Sequence, residues 1–365
     1  MGRRVRLVDV AAAAGVSKSV ASRALADAPD IAQATKARIR GIAKELGYRA
    51  SWRARSLGRR NGPRPVAAHA ALVSLHVAPE VLGASFLGPV LAGILSGAAE
   101  EGLELQHIVV RPEDGSPAEA LGRLVAEDRA DGLILLTFLP LTPADVAPLD
   151  QARVPYVLVN RHFGARAANC VTFAWEAAAQ DAAQRLVRLG HRHLAMLLPY
   201  LDNTSVMGRA AGWQAGIREL GLQERDAPIL RYQGAPGVPS EMLAGGFALG
   251  QRLLRQGLPG SGAVPTAMVG FNDWCALGVL RAAAELGVRV PEALSVIGFD
   301  STRVGDGTTP PLCSYRPHFI ELGRRAAGLL GTALRGELDA PQRIVVPVDF
   351  VCRGSCAPPP AGRAP

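Results

Sequence analysis

The stretch from Val5 to Leu57 constrains this chain more than any other, and its centre reads Gly15-Val16-Ser17-Lys18-Ser19-Val20-Ala21-Ser22-Arg23-Ala24-Leu25. An Ala-rich helix over residues 7–14 runs into Gly15, a residue that accepts the positive φ of a tight turn. Ser17 offers its hydroxyl to the free amides of a second helix, which is N-cap chemistry. In that helix Ala21, Ala24 and Leu25 fall at i, i+3 and i+4 and share one buried face. Lys18, Ser19, Val20, Ser22 and Arg23 are expected on the other side. A third helix over residues 34–46 carries Ile39, Ile42, Ala43 and Leu46 as one apolar stripe, with Lys36, Arg38, Arg40 and Lys44 off it. Gly47 is placed to end it. Helix, glycine turn and a second helix with a polar, basic outer face form a helix-turn-helix, whose second helix fits the major groove of DNA.

The charge supports that reading. The whole chain carries a formal +8, but residues 1–64 hold 15 Lys and Arg against 4 Asp and Glu. The remainder holds 25 basic and 28 acidic residues, so the basicity belongs to the front end, where a nucleic-acid partner needs it. With 365 residues and 48% hydrophobic content the chain is globular and long enough for two or three domains.

The front stretch resembles the DNA-binding headpiece of the lactose-repressor (LacI/GalR) family. The resemblance rests on Leu7-Val8-Asp9-Val10-Ala11, Gly15-Val16-Ser17, Ser22-Arg23-Ala24-Leu25, Leu46-Gly47-Tyr48-Arg49 and Ala54-Arg55-Ser56-Leu57, in the family's order and spacing. It implies a hinge helix at about residues 50–58 that pairs with its twin in a second subunit, with Leu57 wedging into the minor groove. That segment is only about two turns long, and isolated helices below ~12–15 residues are marginal in water. It is therefore expected to fold only on DNA. The DNA-contacting residues are expected to be Arg6, Ser17, Lys18, Ser19, Val20, Ser22, Arg23, Arg53, Arg55 and Leu57. Lys18, Ser19 and Arg23 are the candidate base readers, with Arg23 suited to guanine and Val20 to a thymine methyl. Departures from the family pattern include Arg6 and Val20 in place of threonines, Ala26 and Ala32 in place of Asn and Ser, Ala50-Ser51 in place of Pro-Asn, and Trp52 in place of a small residue. Arg3, Arg4 and Arg6 are expected to replace lost phosphate contacts with charge, so that binding falls steeply with salt.

Residues 59–70 read as a linker, with Gly62-Pro63-Arg64-Pro65 at its centre. Beyond it, apolar runs alternate with helical patterns. Strands are expected over 71–77, 103–110, 132–136, 154–159, 194–198, 267–269, 294–298 and 344–348, and helices include 177–189 and 276–286. Short apolar strands alternating with helices indicate parallel sheets covered on both faces, with ligands beyond the strands' carboxyl ends. The uncharged run 81–99 is long enough to suggest a membrane span, but five glycine and proline interruptions read instead as a helix buried against a sheet.

The body, residues 71–353, resembles the family's two-lobed core, which is similar to periplasmic sugar-binding proteins. Matching blocks include Asp131-Gly132-Leu133-Ile134, Val159-Asn160-Arg161, Leu189-Gly190-His191-Arg192, Arg209-Ala210-Ala211-Gly212-Trp213, Asn272-Asp273-Trp274 and Gly298-Phe299-Asp300. The fold class implied is an all-α headpiece plus an α/β core of two lobes. By resemblance Arg209 and Asp300 grip a small-molecule effector as donor and acceptor, supported by Phe86, Arg161 and Asn272. Ala84-Ser85-Phe86-Leu87 stands where Asn-Pro-Phe-Phe is frequent, and Phe173-Ala174-Trp175 replaces Val-Asp-Asn. Polar groups are lost and aromatics gained, which implies an effector less polar than a simple hexose, or differently shaped.

The function implied is a sequence-specific transcription regulator, a repressor, acting as a homodimer on a pseudo-palindromic double-stranded operator. Its expected location is the cytoplasm, on the nucleoid, without a membrane partner. A solute-binding sensor without a transcriptional role is the alternative; the headpiece and the absence of a secretory segment oppose it. An enzyme is not expected: there is no Gly-x-Ser-x-Gly elbow and no Walker glycine loop. No cofactor is implied. The five cysteines, Cys170, Cys275, Cys313, Cys352 and Cys356, are odd in number and scattered, as expected of reduced thiols. Cys352 and Cys356 lack histidine neighbours, so no metal site is read. The Pro/Ala-rich tail, 354–365, has no heptad leucines, which favours a dimer over a tetramer. If Leu57 is a wedge, Leu57→Ala lowers both operator affinity and the bend it induces. Unchanged affinity and bending in a gel-shift and circular-permutation assay would show that Leu57 is only a linker residue.

Overall fold

The computed structural model describes residues 7–25, 28–46, 68–75, 86–137, 140–234 and 238–360. At the front are α1 (Leu7–Ala13), α2 (Lys18–Leu25) and α3 (Gln33–Glu45). Val10, Ala14, Ala24, Ile39 and Ala43 close a small core among them. Gly15 takes φ +62° in the turn, as its position required. Two details differ from the helical pattern. Lys36 is buried, because it precedes Ile39 by three residues and Ala43 by seven and so lies on the stripe; its long aliphatic stem tolerates that site. Leu46 is exposed, one position beyond the helix end. The hinge, residues 51–58, lies outside the described residues, as does Gly47.

The body holds two six-stranded sheets. The first contains β1 (His69–Leu75), β2 (Glu104–Val110), β3 (Gly132–Thr137), β4 (Tyr156–Val159), β5 (Cys170–Phe173) and β11 (Arg343–Val346), in the order β11-β5-β4-β3-β1-β2. All its pairings are parallel. The second contains β6 (Leu194–Pro199), β7 (Ile229–Tyr232), β8 (Ala267–Gly270), β9 (Ser295–Phe299), β10 (Cys313–Pro317) and β12 (Val348–Val351), in the order β12-β10-β9-β8-β6-β7. Only β10 with β12 is antiparallel in it. The chain alternates strand with helix: α4 (Leu87–Glu100), α5 (Pro117–Ala126) and α6 (Ala147–Ala152) serve the first sheet. For the second, α7 (Trp175–Arg188), α8 (Thr204–Glu219), α9 (Pro239–Gln256), α10 (Asp273–Glu285) and the short α11 (Arg303–Asp306) do so. Then α12 (Phe319–Arg335) returns to pack on the first sheet.

Alternation along β1 explains the layering. Ala70 and Leu72 face α4 and α12, while Ala71, Val73 and Leu75 face the opposite side with Leu121 and Leu149. The helix within 81–99 spans Leu87–Glu100 and buries Leu87, Val90, Ile94 and Ala98, with Leu95 exposed. No helix among the described residues is long and apolar enough to cross a membrane.

The strands missing from the sequence pattern are short: β5, β7 and β10 have four or five residues each and include Thr172, Arg231 or Arg316. The single run expected at 344–348 is two strands. Pro347 has no N–H for a ladder and divides them, and they join different sheets.

Helix pairs approach closely through glycine. A Cβ on Gly212 of α8 would lie 1.9 Å from the Glu176 carbonyl oxygen at the start of α7. Gly122, within α5, has nothing nearer than 3.9 Å. Gly212→Ala is therefore expected to cost about 1–3 kcal/mol in urea unfolding. Gly122→Ala should be neutral or stabilising by up to about 1 kcal/mol. Equal effects would remove the packing explanation.

Candidate functional site

The helix read as DNA-facing is built as its sequence implies at its start. Ser17 Oγ accepts the Val20 N–H at 3.3 Å, and Ala21 and Ala24 are buried beneath. Lys18, Ser19 and Arg23 are exposed, and Ser22 is half-buried. Val20 differs from its expected outward position: it is half-buried and packs on the headpiece core, because it shares that side of the helix with Ala24. Arg23 forms an ion pair with Asp30, so it must exchange partners to reach a base. Arg6, Arg53, Arg55 and Leu57 lie outside the described residues.

In the second lobe the carboxyl ends of β6, β8 and β9 converge, where ligands of parallel sheets bind. Asn203 after β6 caps α8 by accepting the Val206 N–H at 2.9 Å. Arg209 projects from this helix and is only 2% exposed. Its guanidinium lies 3.7 Å from the Trp175 ring centroid, 4.5 Å from that of Phe299 and 4.7 Å from that of Phe271. Arg209 Nη1 donates to the Ser205 carbonyl at 3.0 Å, whereas the buried Nε has no hydrogen-bond partner. Nη2 stands 3.9 Å from Asp300 Oδ1, an electrostatic contact too long for a hydrogen bond.

Arg209 is out of water, and Asp300 nearly so, with 15% of its side chain exposed. Burial pulls Arg209 down to about 10, against the attraction of Asp300. Burial pushes the Asp300 carboxyl up to about 7; Arg209 opposes the shift and Asp273 adds to it. Asp300 also sits at φ +94°, a conformation costly for a residue with a side chain. Its neighbours hold it there. Asp300 N–H donates to the Tyr315 carbonyl at 2.8 Å, and Ser301 N–H donates to Ser314 Oγ at 3.0 Å. Buried Asp273 accepts from Thr302 N–H at 2.5 Å, Thr302 Oγ1 at 2.9 Å and Ser314 Oγ at 2.5 Å. Arg353 Nη2 donates to Ser301 Oγ at 2.9 Å. Asp300 does not cap the helix that follows it: the residue at the cap of α11 is Thr302.

The other expected effector residues are placed differently. Asn272 is the N-cap of α10, accepting the Cys275 N–H at 3.0 Å, directly after Phe271. Arg161 follows β4 of the first lobe, is buried, and faces the charge of Asp202 after β6. Phe86 is the first-lobe residue before α4, with its ring 5.9 Å from that of Phe319. From Phe319 the ring contacts continue to Phe173 at 5.5 Å, Trp175 at 4.9 Å from Phe173, and Phe299 at 6.2 Å from Trp175. Structure thus brings Arg209 and Asp300 together, sets Asn272 on the adjoining strand end, and links Phe86 to them through a series of rings. A cavity of about 350 Å³ opens beside Trp175, lined by His162, Phe173, Gln180, Thr204 and Arg343 among others; it contains neither Arg209 nor Asp300. His191 is buried between Thr266 Oγ1 and the Ala357 carbonyl.

Residues 6–51 match the family described as bacterial regulatory proteins, lacI family, and residues 183–356 match the periplasmic binding protein-like domain. The HTH-type transcriptional regulator GntR of Pseudomonas aeruginosa is 30% identical over 345 residues, covering 92% of this chain and 90% of its own. Two solved structures are similar over nearly the whole chain. A transcriptional regulator CelR–cellobiose complex has a TM-score of 0.66 and 26% identity, covering 96% of this chain and 100% of its own. A lac repressor dimer bound to operator and the anti-inducer ONPF has a TM-score of 0.66 and 26% identity, covering 97% and 99%. The chain belongs to the lacI family.

As a lacI-family member it is a DNA-binding transcriptional regulator and not an enzyme, and the match to its headpiece sets aside the solute-binding alternative. Its helix-turn-helix headpiece and two-lobed α/β core are those expected. What sequence reasoning missed is the floor of the site: Trp175, Phe271 and Phe299 under Arg209, and Asp273 behind the Asp300 loop. A carboxylate next to the cap residue Asn272, followed by seven uncharged residues before Arg281, is the available signal for Asp273.

The Asp300 shift has a sign that can be checked. Its folded pKa lies above the unfolded value, so the native state holds the extra proton between pH ~4 and ~7. The contribution from this group therefore falls as pH rises through that window and is level above it. Asp300→Asn is expected to lessen the loss of urea stability between pH 5 and pH 7.5 relative to wild type; identical slopes would refute the shifted carboxyl.

Proposed function

We propose that this protein is an effector-controlled repressor whose small-molecule site is built on Arg209 and Asp300. The supporting observation is the incomplete pairing of a buried guanidinium with a half-buried carboxylate. Arg209 has an unused Nε–H, and a 3.9 Å gap separates it from a carboxylate. A ligand hydroxyl placed there would accept from the guanidinium and donate to Asp300, satisfying both. Trp175, Phe271 and Phe299 supply apolar faces against which the C–H face of a sugar ring packs. The relative CelR was solved with cellobiose, and a carbohydrate-like effector is accordingly proposed here. The aromatic floor favours one with more apolar area than a hexose, such as a disaccharide or an aryl glycoside. Phe86, Arg161 and Asn272 are proposed to shape and support the cleft rather than to grip the ligand.

On the DNA side, a homodimer would set two copies of the helix Lys18–Leu25 on a pseudo-palindromic operator. Lys18, Ser19 and Arg23 would read bases, Ser17 and Ser22 would help to fix the helix on the backbone, and Val20 would combine core packing with apolar contact to a base. Arg6, Arg53 and Arg55 would hold phosphates and Leu57 would open the minor groove. The proposed division is a headpiece and hinge over 1–58, a linker over 59–70, an effector-binding and dimerisation core over 71–353 and a tail beyond. A cytoplasmic, nucleoid-bound location follows from the operator.

Calorimetry with a panel of glucose, galactose, cellobiose and o-nitrophenyl galactoside tests the site. A disaccharide or aryl glycoside is expected to bind at least about tenfold more tightly than either hexose, and Arg209→Ala is expected to remove at least about 2 kcal/mol of that affinity. Tight hexose binding, or full affinity in Arg209→Ala, would overturn the assignment.

A further inference from the structure

Three cysteines meet at the edge of the second sheet, away from the ligand cleft. Cys313 opens β10, whose antiparallel register with β12 pairs Ser314 with Val351. One further step along that register sets Cys352 opposite Cys313. Facing residues on antiparallel strands have Cα atoms about 4.5–5.5 Å apart, within the range a disulfide spans. Cys313 Sγ accepts the Arg353 N–H at 3.1 Å, and its own N–H donates to Ser355 Oγ at 2.8 Å. Ser355 Oγ donates to the Val296 carbonyl at 2.5 Å, and Cys356 Sγ lies 3.5 Å from the same oxygen. Segment 352–356 therefore wraps the Cys313 sulfur. Cys313 is buried, Cys356 is half-buried and Cys352 is exposed. Hydrogen bonding from Cys356, aided by the Arg353 amide and Ser355, pulls the Cys313 thiol down to about 5. Cys356 is pushed up by the same bond, and Cys352 is pushed up by burial and by Cys313. A thiolate beside an accessible thiol is the arrangement that disulfide chemistry uses.

We propose that Cys313 and Cys352 form a reversible regulatory disulfide when a peroxide is the oxidant. Exposed Cys352 attacks one peroxide oxygen as its thiolate; the O–O bond breaks, a sulfenic acid forms, and the departing hydroxide takes up the thiol's proton and leaves as water. The Cys313 thiolate then attacks the Cys352 sulfur; the S–S bond forms, the S–O bond breaks, and the departing hydroxide takes a proton to become a second water. Two electrons pass from the two sulfurs to hydrogen peroxide, and a small thiol reverses the step by exchange.

The consequence reaches the Asp300 loop. Turning Cys313 toward Cys352 removes the acceptor of the Arg353 N–H. The Arg353 guanidinium holds Ser301 Oγ, the Leu312 carbonyl and Asp306. Ser314, next to Cys313, holds the Ser301 N–H and Asp273. Oxidation thus loosens the loop that strains Asp300 into place. Its effect on ligand binding rests on the Arg209–Asp300 reading, whereas the linkage and the loop's mobility are measurable without any effector.

The full-length protein is treated with hydrogen peroxide, alkylated, and mapped by tandem mass spectrometry, with amide hydrogen exchange read over residues 300–302. A Cys313–Cys352 linkage reversed by dithiothreitol is expected, lost in Cys352→Ser and retained in Cys356→Ser. Exchange over 300–302 should rise about tenfold on oxidation in wild type and not in Cys352→Ser. No disulfide in the folded protein, a Cys313–Cys356 linkage in its place, or unchanged exchange in the linked protein would each overturn the proposal.

Discussion

A guanidinium taken out of water and laid against three aromatic rings is the interaction on which this molecule depends. Desolvating a charge costs several kcal/mol. A ring face returns about 2 kcal/mol when the cation is desolvated. Arg209 therefore needs Trp175, Phe271 and Phe299 where they are. Those three side chains come from the start of α7, the end of β8 and the end of β9. One side chain thus ties three segments of the second lobe together. Asp300, held in a strained conformation by Asp273, Ser314 and Tyr315, completes the charge but stops short of a hydrogen bond.

One of these rings, Trp175, also lies where the chain passes between its two sheets. It crosses from Phe173 to Trp175, from Pro317 to Phe319, and from Val346 to Val348. Phe319, Phe173 and Trp175 touch in sequence at the first two crossings, and Trp175 Nε1 donates to Asn160 of the first lobe at 2.9 Å. His162 N–H donates to Thr204 Oγ1 across the same junction. Any rotation of one lobe against the other must work through these contacts. A ligand seated between Arg209 and Asp300 would rest on Trp175 and so bear on the pivot directly. The proposed site and the sheet crossing would share Trp175, which is the simplest physical route from occupancy to a change in lobe angle.

Much of this was legible in the sequence, for reasons particular residues make clear. Gly15 and Ser17 announce a turn and a cap by chemistry that needs no partner elsewhere, and both behave as written. Alternation of apolar runs and helical patterns announced two parallel sheets. Arg209 and Asp300 are candidates by resemblance alone, since one arginine and one aspartate have no local signature. Lys36 was misassigned by counting off the stripe, and Val20 by taking an apolar residue on a DNA-facing helix to be free. The short strands β5, β7 and β10 escape because four or five residues are too few to show a period. The aromatic floor was visible only as an oddity, Phe173-Ala174-Trp175 in place of a polar run; its meaning required knowing that α8 brings Arg209 over the Trp175 ring.

The central claim is that the trap and the reading head are energetically one system, and linkage makes that measurable from either side. A genomic fragment selected by the full-length protein supplies the operator; the affinity for the best-bound glycoside is then measured with and without saturating operator at fixed salt. A coupled switch requires that the glycoside affinity change by about five-fold or more, and that operator affinity change by the same factor when glycoside is added. Identical glycoside affinity in the presence and absence of operator would mean that occupancy of the Arg209–Asp300 site does not control the headpiece.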